Sequence, residues 1–192
     1  MGSLSMMIFH YLGFLSVVFS LLSIIIFGQI TPNYSHAKDY TSYLGMRDRK
    51  YHRVMNLLGF IVPGLLLMLY GIYLLGKTQI VGNLGSVLLS LSGLFWLLIG
   101  FFPYEPQDSR KIHERTVDLA NLFGVISVFL FSINFLYQGP VWFGVISLFI
   151  ILLLVVRLLT KFETKVVKKG LFQKMVIFTF FSWVVCLNFV FL

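Results

Sequence analysis

The chain has 192 residues, of which 58% are hydrophobic and only 11% are charged, and its mean hydropathy is +0.91. Soluble domains average about 25% charged and about 45–50% apolar residues, so this composition excludes a soluble enzyme and a disordered chain and predicts an integral membrane protein. The single cysteine, Cys186, excludes an intrachain disulfide and hence a disulfide scaffold.

Six apolar stretches are long enough, or nearly so, to cross a bilayer as helices, which takes about 20 residues each. In chain order they cover residues 6–30, 54–76, 80–102, 116–137, 141–160 and 175–192. The apolar runs are continuous rather than alternating, which is typical of helices. The predicted fold is therefore all-α: a polytopic membrane protein whose single transmembrane domain, residues 1–192, is a bundle of six helices.

Three of the predicted helices carry small residues along one face, and helices in lipid associate through the close packing of such residues. In the first, third and fourth helices these are Gly13, Ser16, Ser20 and Ser23; Gly82, Ser86, Ser90, Gly93 and Gly100; and Ala120, Gly124, Ser127 and Asn134. We predict helix–helix contacts at these faces; the alternative is that the serines line a polar cavity. Pro63-Gly64 predicts a kink in the second helix.

The basic residues are concentrated on one side of the predicted bundle. The connections after the first, third and fifth spans face the same side, and every Lys and Arg except Lys77 lies in or beside them. The positive-inside rule places this side in the cytoplasm and both termini outside. The basic residues predict membrane lipids as partners, through anionic headgroups at the cytoplasmic face. Nucleic acid is not expected because no folded basic module is present, and the small-residue faces are compatible with an oligomer.

The fourth predicted helix carries polar residues on one face near its beginning. Glu114, Asp118 and Asn121 share this face through their i, i+4, i+7 spacing. An acidic residue at membrane depth must face protein or water. We therefore expect this face to point into the bundle, towards the basic residues that precede the second helix.

These residues suggest a polar pocket that opens to the cytoplasm. Its candidate ligand-binding residues are His113, Glu114, Asp118 and Asn121, with Arg49, His52, Arg53 and Asn56 opposite. In the leading hypothesis the pocket binds the headgroup of a lipid or small amphiphile, which the protein holds or transports. One alternative is a membrane-embedded enzyme acting on a lipid, with His113 or Asp118 as general base. The other is a structural or assembly partner without a ligand. Neither a cofactor nor a metal is expected, since His52 and His113 lack the close ligand pairs of zinc sites.

Two short motifs in the chain also occur together in a known family. The first is Arg53-Val-Met-Asn56, followed by an apolar helix with Pro63-Gly64. The second is a helix that ends Gly100-Phe-Phe-Pro103, followed by a polar loop and by His113 in the next helix. In order and spacing, and with six spans over nearly the whole chain, these motifs resemble domain-of-unknown-function family 998. The resemblance implies a multi-pass protein of a bacterial or archaeal plasma or inner membrane, and it implies no particular activity.

Overall fold

The computed structural model describes residues 9–105, 110–160 and 169–191, and within 153–160 it describes only the side chain of residue 155. Six long helices and the connections between them make up this part of the chain, and it contains no β-strand. The helices are α1 (Leu12–Ile30), α2 (His52–Leu74), α3 (Ile80–Phe101), α4 (Arg110–Gln138), α5 (Val141–Thr160) and α6 (Lys169–Val190).

The all-α fold class predicted from the sequence is confirmed. Within the described residues, five of the helices are long and apolar enough to cross a membrane, and α5 contributes a shorter apolar stretch, Val141–Leu152. Two helices begin six residues before the predicted spans: α4 begins at Arg110 rather than at residue 116, and α6 begins at Lys169 rather than at residue 175. The first turns of both helices carry polar residues and extend beyond the apolar stretch. The predicted residues 6–8 and 192 lie outside the described part of the chain.

Helices that follow one another in the chain pack side by side, and α6 also packs against α1. Small residues mediate these contacts, as predicted. Buried hydroxyl groups donate across the interfaces to backbone carbonyl oxygens: Ser16 to Pro63 at 2.8 Å and Ser127 to Gly85 at 2.8 Å. Each bond satisfies a buried hydroxyl within the protein. The helix–helix contacts are therefore confirmed, and these two serines do not line a polar cavity.

A π-helical turn, Leu57–Ile61, ends two residues before Pro63, next to the position at which a kink is predicted. Pro63 has no N–H to donate to the carbonyl group of Gly59, four residues earlier. The Gly59 oxygen accepts instead from two side chains of neighbouring helices, the hydroxyl of Ser20 and the indole N–H of Trp96, each at 3.4 Å. Partners from adjacent helices thus make a proline tolerable inside this span.

Aromatic side chains fill the middle of the bundle around α6. Trp183 is fully buried, and its indole N–H donates to the hydroxyl of Ser147 on α5 at 2.9 Å. Its ring lies 5.8 Å from that of Phe131 on α4, and Phe181 lies 5.5 Å from Trp96 on α3. This apolar core separates the polar regions at the two ends of the bundle.

We call the end that contains the α1–α2, α3–α4 and α5–α6 connections the basic end, and the end with residues 75–79 and 139–140 the opposite end. The described cations of the basic end are Lys38, Arg47, Arg49, Lys50, Arg53, Arg110, Lys111, Arg115, Lys169 and Lys174. The opposite end has Lys77. The segment 161–168, with further lysines of the predicted belt, and the side chain of Arg157 lie outside the described residues.

Candidate functional site

The connection between α1 and α2, residues 31–51, is folded onto the first turns of α6; we call it the first loop. The backbone N–H of Thr41 donates to Gln173 Oε1 at 2.8 Å, and Lys174 Nζ donates to the carbonyl oxygen of Asp39 at 2.8 Å. At Gly170 the two segments approach so closely that an added Cβ would lie 2.6 Å from the backbone nitrogen of Asp39. Direct bonds therefore hold the first loop against α6.

The first loop is also attached to α2 and to the α3–α4 connection. Asn56 is buried near the start of α2, and its Nδ2 donates to the carbonyl oxygen of Gly45 at 3.0 Å. The backbone N–H of Arg47 donates to Glu105 Oε1 at 2.8 Å. Because these bonds involve backbone groups of the loop, they fix its path rather than only its side chains.

A cavity of about 40 Å³, lined by both polar and apolar side chains, lies under the first loop, between α3, α4 and α6. The residues that line it are Thr41, Ser42, Phe60, Trp96, Ile99, His113, Val117, Asn121, Gln173 and Ile177. A buried water needs about 10–15 Å³ of such volume, so this cavity has room for about three water molecules. Ligand pockets for whole small molecules are larger, about 300–1,000 Å³.

Among the described residues that line this cavity, His113 is the one titratable residue, and it is 4% exposed. Its Nδ1 lies 2.8 Å from the carbonyl oxygen of Phe102, and the ring of Tyr104 packs edge-on against it, with centroids 5.6 Å apart. A carbonyl oxygen only accepts, so Nδ1 carries the proton, and in the neutral ring Nε2 is a hydrogen-bond acceptor. The bond to Phe102 thereby sets the tautomer of His113.

The other polar lining residues supply further hydrogen-bonding groups. The Thr41 hydroxyl is buried next to the Tyr34 hydroxyl. The Tyr34 hydroxyl donates to the carbonyl oxygen of Asp39 at 3.5 Å. Gln173 Oε1 accepts a hydrogen bond from the backbone N–H of Thr41, which leaves the Gln173 NH₂ group as a donor. Asn121 is half-buried and adds a second carboxamide.

Of the eight residues predicted to bind a ligand, His113 and Asn121 line this cavity, and the other six lie elsewhere in the described structure. Asn56 donates a hydrogen bond to the carbonyl oxygen of Gly45, as described above. His52 Nδ1 lies 2.8 Å from the carbonyl oxygen of Arg49. The side chain of Arg49 pairs with that of Asp48, with 3.8 Å between Nε and Oδ1. Asn56, His52 and Arg49 thus make contacts within the first loop or between this loop and the start of α2.

The remaining predicted residues are exposed. Arg53 is exposed on α2, and Glu114 and Asp118 are exposed on α4. Glu114 pairs with Arg110, one turn earlier, with 2.8 Å between Oε1 and Nε. This corrects the expectation that Glu114 and Asp118 point into the bundle with Asn121, because the inner face of α4 is the one that carries His113 and Ala120. The ligand role of the six residues outside the cavity stays a prediction.

The sequence analysis did not identify Thr41, Ser42, Trp96 and Gln173 as lining residues. Trp96 carries a signal in the sequence, since an indole N–H inside a span needs an acceptor. Gln173 and Thr41 carry none, because their contact joins segments distant in the chain. Among the described residues, no three His, Cys, Asp or Glu side chains are grouped so that they could hold a metal ion.

The two motifs noted in the sequence form one structural unit at the basic end. A Cβ at Gly100 would lie 2.9 Å from the carbonyl oxygen of Asn56, so a glycine is needed where α3 passes the start of α2. Phe102, inside the second motif, accepts the bond from His113. Asn56 in turn holds the first loop through Gly45. The motif residues thus place the cavity between the first loop and α4.

A bundle of long apolar helices, with a cavity at an end rich in Lys and Arg, defines a multi-pass membrane protein. Within that class, the chain belongs to the family described as "Protein of unknown function (DUF998)", whose model matches residues 14–190. The resemblance found in the sequence is thereby confirmed. Comparison with curated proteins gave no match. Comparison with solved structures gave none either.

Proposed function

We propose that this protein binds an anionic membrane amphiphile at its basic end, with the terminal polar group of the headgroup in the cavity under the first loop. The observation that carries the proposal is a cavity at the basic end whose lining brings together His113 Nε2, the Thr41 hydroxyl and two carboxamide groups. Buried polar groups are bonded to protein, water or ligand, so a ligand group or an ordered water that bonds to them is favoured.

The size of the cavity limits what enters it. About 40 Å³ accommodates a hydroxyl or a similar small group, whereas an acyl chain must remain outside in the bilayer. The charge around the first loop supplies the attraction for the rest of the headgroup, since each cation near an anionic surface contributes about 1 kcal/mol. We therefore propose binding rather than transport.

The same charges support an orientation. The basic end would face the cytoplasm and both termini would lie outside, in a prokaryotic plasma or inner membrane. Alkaline phosphatase fused after the last residue, which is active only outside the cytoplasm, tests this directly. Activity of the fusion is expected. An inactive phosphatase, together with an active cytoplasmic reporter at the same position, would reverse the orientation.

The binding proposal is tested by native mass spectrometry of protein reconstituted with equal amounts of phosphatidylglycerol and phosphatidylcholine. The wild type should retain phosphatidylglycerol preferentially. Asn121→Leu removes a polar lining group and should reduce this retention several-fold. The matched control is Leu122→Ala, a substitution without any change of charge at an exposed residue on the same helix, which should leave retention unchanged.

The alternatives give different results in the same experiment. A structural partner without a ligand would retain neither lipid selectively, in the wild type or in either variant. An enzyme acting on a lipid would convert the added lipid, which thin-layer chromatography of the reconstituted sample detects. Equal retention by the wild type and Asn121→Leu would contradict the cavity as the binding site.

A further inference from the structure

The structure has a second and larger cavity, at the opposite end of the bundle. Its volume is about 440 Å³, within the range of about 300–1,000 Å³ that is typical of ligand pockets. The loops 75–79 and 139–140 form its rim, and the walls include Asn134 and Phe135 of α4 and the end of α6 at Val190. The aromatic core separates it from the cavity at the basic end.

Asn134 is a largely buried polar residue in the wall of this cavity. Its side chain is 93% buried, lines the cavity, and makes no hydrogen bond within the described part of the chain. Gly82 on α3 makes room for it, because a Cβ there would lie 2.9 Å from Asn134 Cγ. The Asn134 carboxamide is not among the fully enclosed polar atoms that lack a partner, so it reaches the cavity, where water or a ligand can bond to it.

The electrostatics of this cavity favour an anion. Lys77 lines it, and the chain has no Asp or Glu near this end, since all seven lie in or near the connections at the basic end. The Lys77 ammonium group lies 4.3 Å from the ring of Tyr73, a contact that leaves its charge uncompensated. No carboxylate of the described chain is therefore available to neutralise the cation.

Two helices begin at the rim of the same cavity. α3 starts at Ile80, directly after the lining residue Gln79, and no side chain caps its first turn. α5 starts at Val141, directly after the lining residue Pro140. Helix N-termini present free N–H groups and a partial positive charge, but α4 and α6 end at the lining residues Gln138 and Val190, and their carbonyl ends offset it, so Lys77 supplies the net positive charge.

From these observations we infer that the opposite end carries a binding site for an anionic group, a phosphate or carboxylate. Lys77 attracts the charge, and the Asn134 carboxamide donates a hydrogen bond to it. Phe135 and Phe191 provide an apolar wall for a short hydrophobic part of the ligand. This anion site is distinct from the cavity under the first loop and does not depend on the function proposed for it.

The test is isothermal titration calorimetry of the full chain in a neutral maltoside detergent. Three probes are titrated separately: dihexanoyl-phosphatidylglycerol, dihexanoyl-phosphatidylcholine and inorganic phosphate. Lys77→Met should weaken binding of the anionic probe about tenfold or more, the loss expected for a charge-assisted hydrogen bond. Lys77→Arg, which keeps the charge, should recover most of the affinity.

Two further variants make the result specific. Tyr137→Phe changes an exposed residue at the same end that does not line the cavity, and it should change the affinity less than twofold. Asn134→Leu should weaken binding several-fold. Because Asn134 is buried, the Asn134→Leu variant is at risk of misfolding. If it misfolds, the variants of the exposed Lys77 decide the outcome by themselves.

Each outcome is decisive. Binding of phosphatidylglycerol alone, with the Lys77 dependence, supports a lipid headgroup site, and equal binding of inorganic phosphate supports a site for a free anion. Failure of both anionic probes to bind would overturn the inference. So would an affinity that Lys77→Met leaves within twofold of the wild type, or one that Tyr137→Phe reduces to the same extent.

Discussion

Helices α2 and α3 approach each other so closely at Gly64 and Gly93 that neither residue has room for a methyl group. A Cβ added to Gly64 would lie 2.7 Å from the carbonyl oxygen of Gly93, and one added to Gly93 would lie 2.8 Å from that of Gly64. Both distances are shorter than any ordinary contact of a Cβ atom. Because the obstacles are helix backbone and cannot rotate away, alanine at either position should force the helices apart.

The size of the effect follows from two opposing contributions. Overpacking of a close contact costs about 1–3 kcal/mol. Replacing glycine by alanine inside a helix returns about 0.5–1 kcal/mol through the reduced entropy of the unfolded chain. The expected net loss for Gly64→Ala or Gly93→Ala is therefore about 1–2 kcal/mol. For a chain of this length, each kcal/mol corresponds to about 2–4 °C in Tm.

Gly124→Ala is the matched control. A Cβ at Gly124 would lie 3.2 Å from the ring of Phe180 and from the hydroxyl of Ser92, which are side-chain atoms that can shift slightly. The overpacking cost should then be roughly cancelled by the helix propensity of alanine, with a net change below about 0.5 kcal/mol.

The assay is reversible unfolding in mixed micelles with increasing SDS, followed by circular dichroism. The double variant adds a sharper test, because helices already separated by the first methyl group accommodate the second at lower cost. The double variant should therefore lose less stability than the sum of the single losses at Gly64 and Gly93. The reasoning is refuted if both single variants are as stable as Gly124→Ala.

Three further predictions concern other contacts. Trp183→Phe removes the indole hydrogen bond to α5 from the centre of the core and should lower the free energy of unfolding by about 1–3 kcal/mol in the same assay. Asn56→Ala should cost a similar amount and should also make the first loop more sensitive to protease, since the buried Gly45 carbonyl loses its donor. Burial, and after it the charge of Lys174, lowers the pKa of His36 below its ordinary value of 6.5. The unfolded chain then binds the proton more readily, so Tm should fall as the pH is lowered from 7 through 6.5, and His36→Gln should reduce that slope.

The helices were predictable from the sequence because their cause is local. In a bilayer every backbone polar group must be bonded within the span, so a continuous apolar stretch of sufficient length is a helix. The contacts through small residues were predictable for a related reason, since Ser16 and Ser127 have few uses in lipid other than bonding to a neighbouring helix. The beginning of α4 was harder to place, because helical structure continues into polar residues that the search for apolar stretches excludes.

The direction of the carboxylates in α4 could have been derived from the sequence. Successive residues of an α-helix are about 100° apart, so Asp118 lies about 200° from Ala120 around the helix axis. If Ala120 and Gly124 face the bundle, Asp118 cannot do so. Treating the small residues and the acidic residues as separate signals led to two incompatible expectations, and the structure agrees with the small residues.

The cavity under the first loop could be predicted only in part. His113 and Asn121 lie on one helix face, so the sequence could group them. Thr41 and Gln173 meet only because the first loop crosses the bundle end to reach α6. No local pattern encodes that crossing, and the glycine that permits it, Gly170, has no distinctive context in the sequence.

The two cavities together bear on how the protein could act on an amphiphile. A carrier must offer polar contacts along its path, but the buried polar groups between the two ends are mostly serines, several of them bonded to helix carbonyl oxygens, and no Asp, Glu, Lys or Arg is among the described buried residues. Bringing an anionic headgroup through such a core would cost far more than either end gains by binding it. The arrangement thus favours two separate sites, one facing each leaflet. In that case neither ligand has a reason to change the affinity for the other, since coupling requires a shared element with two arrangements.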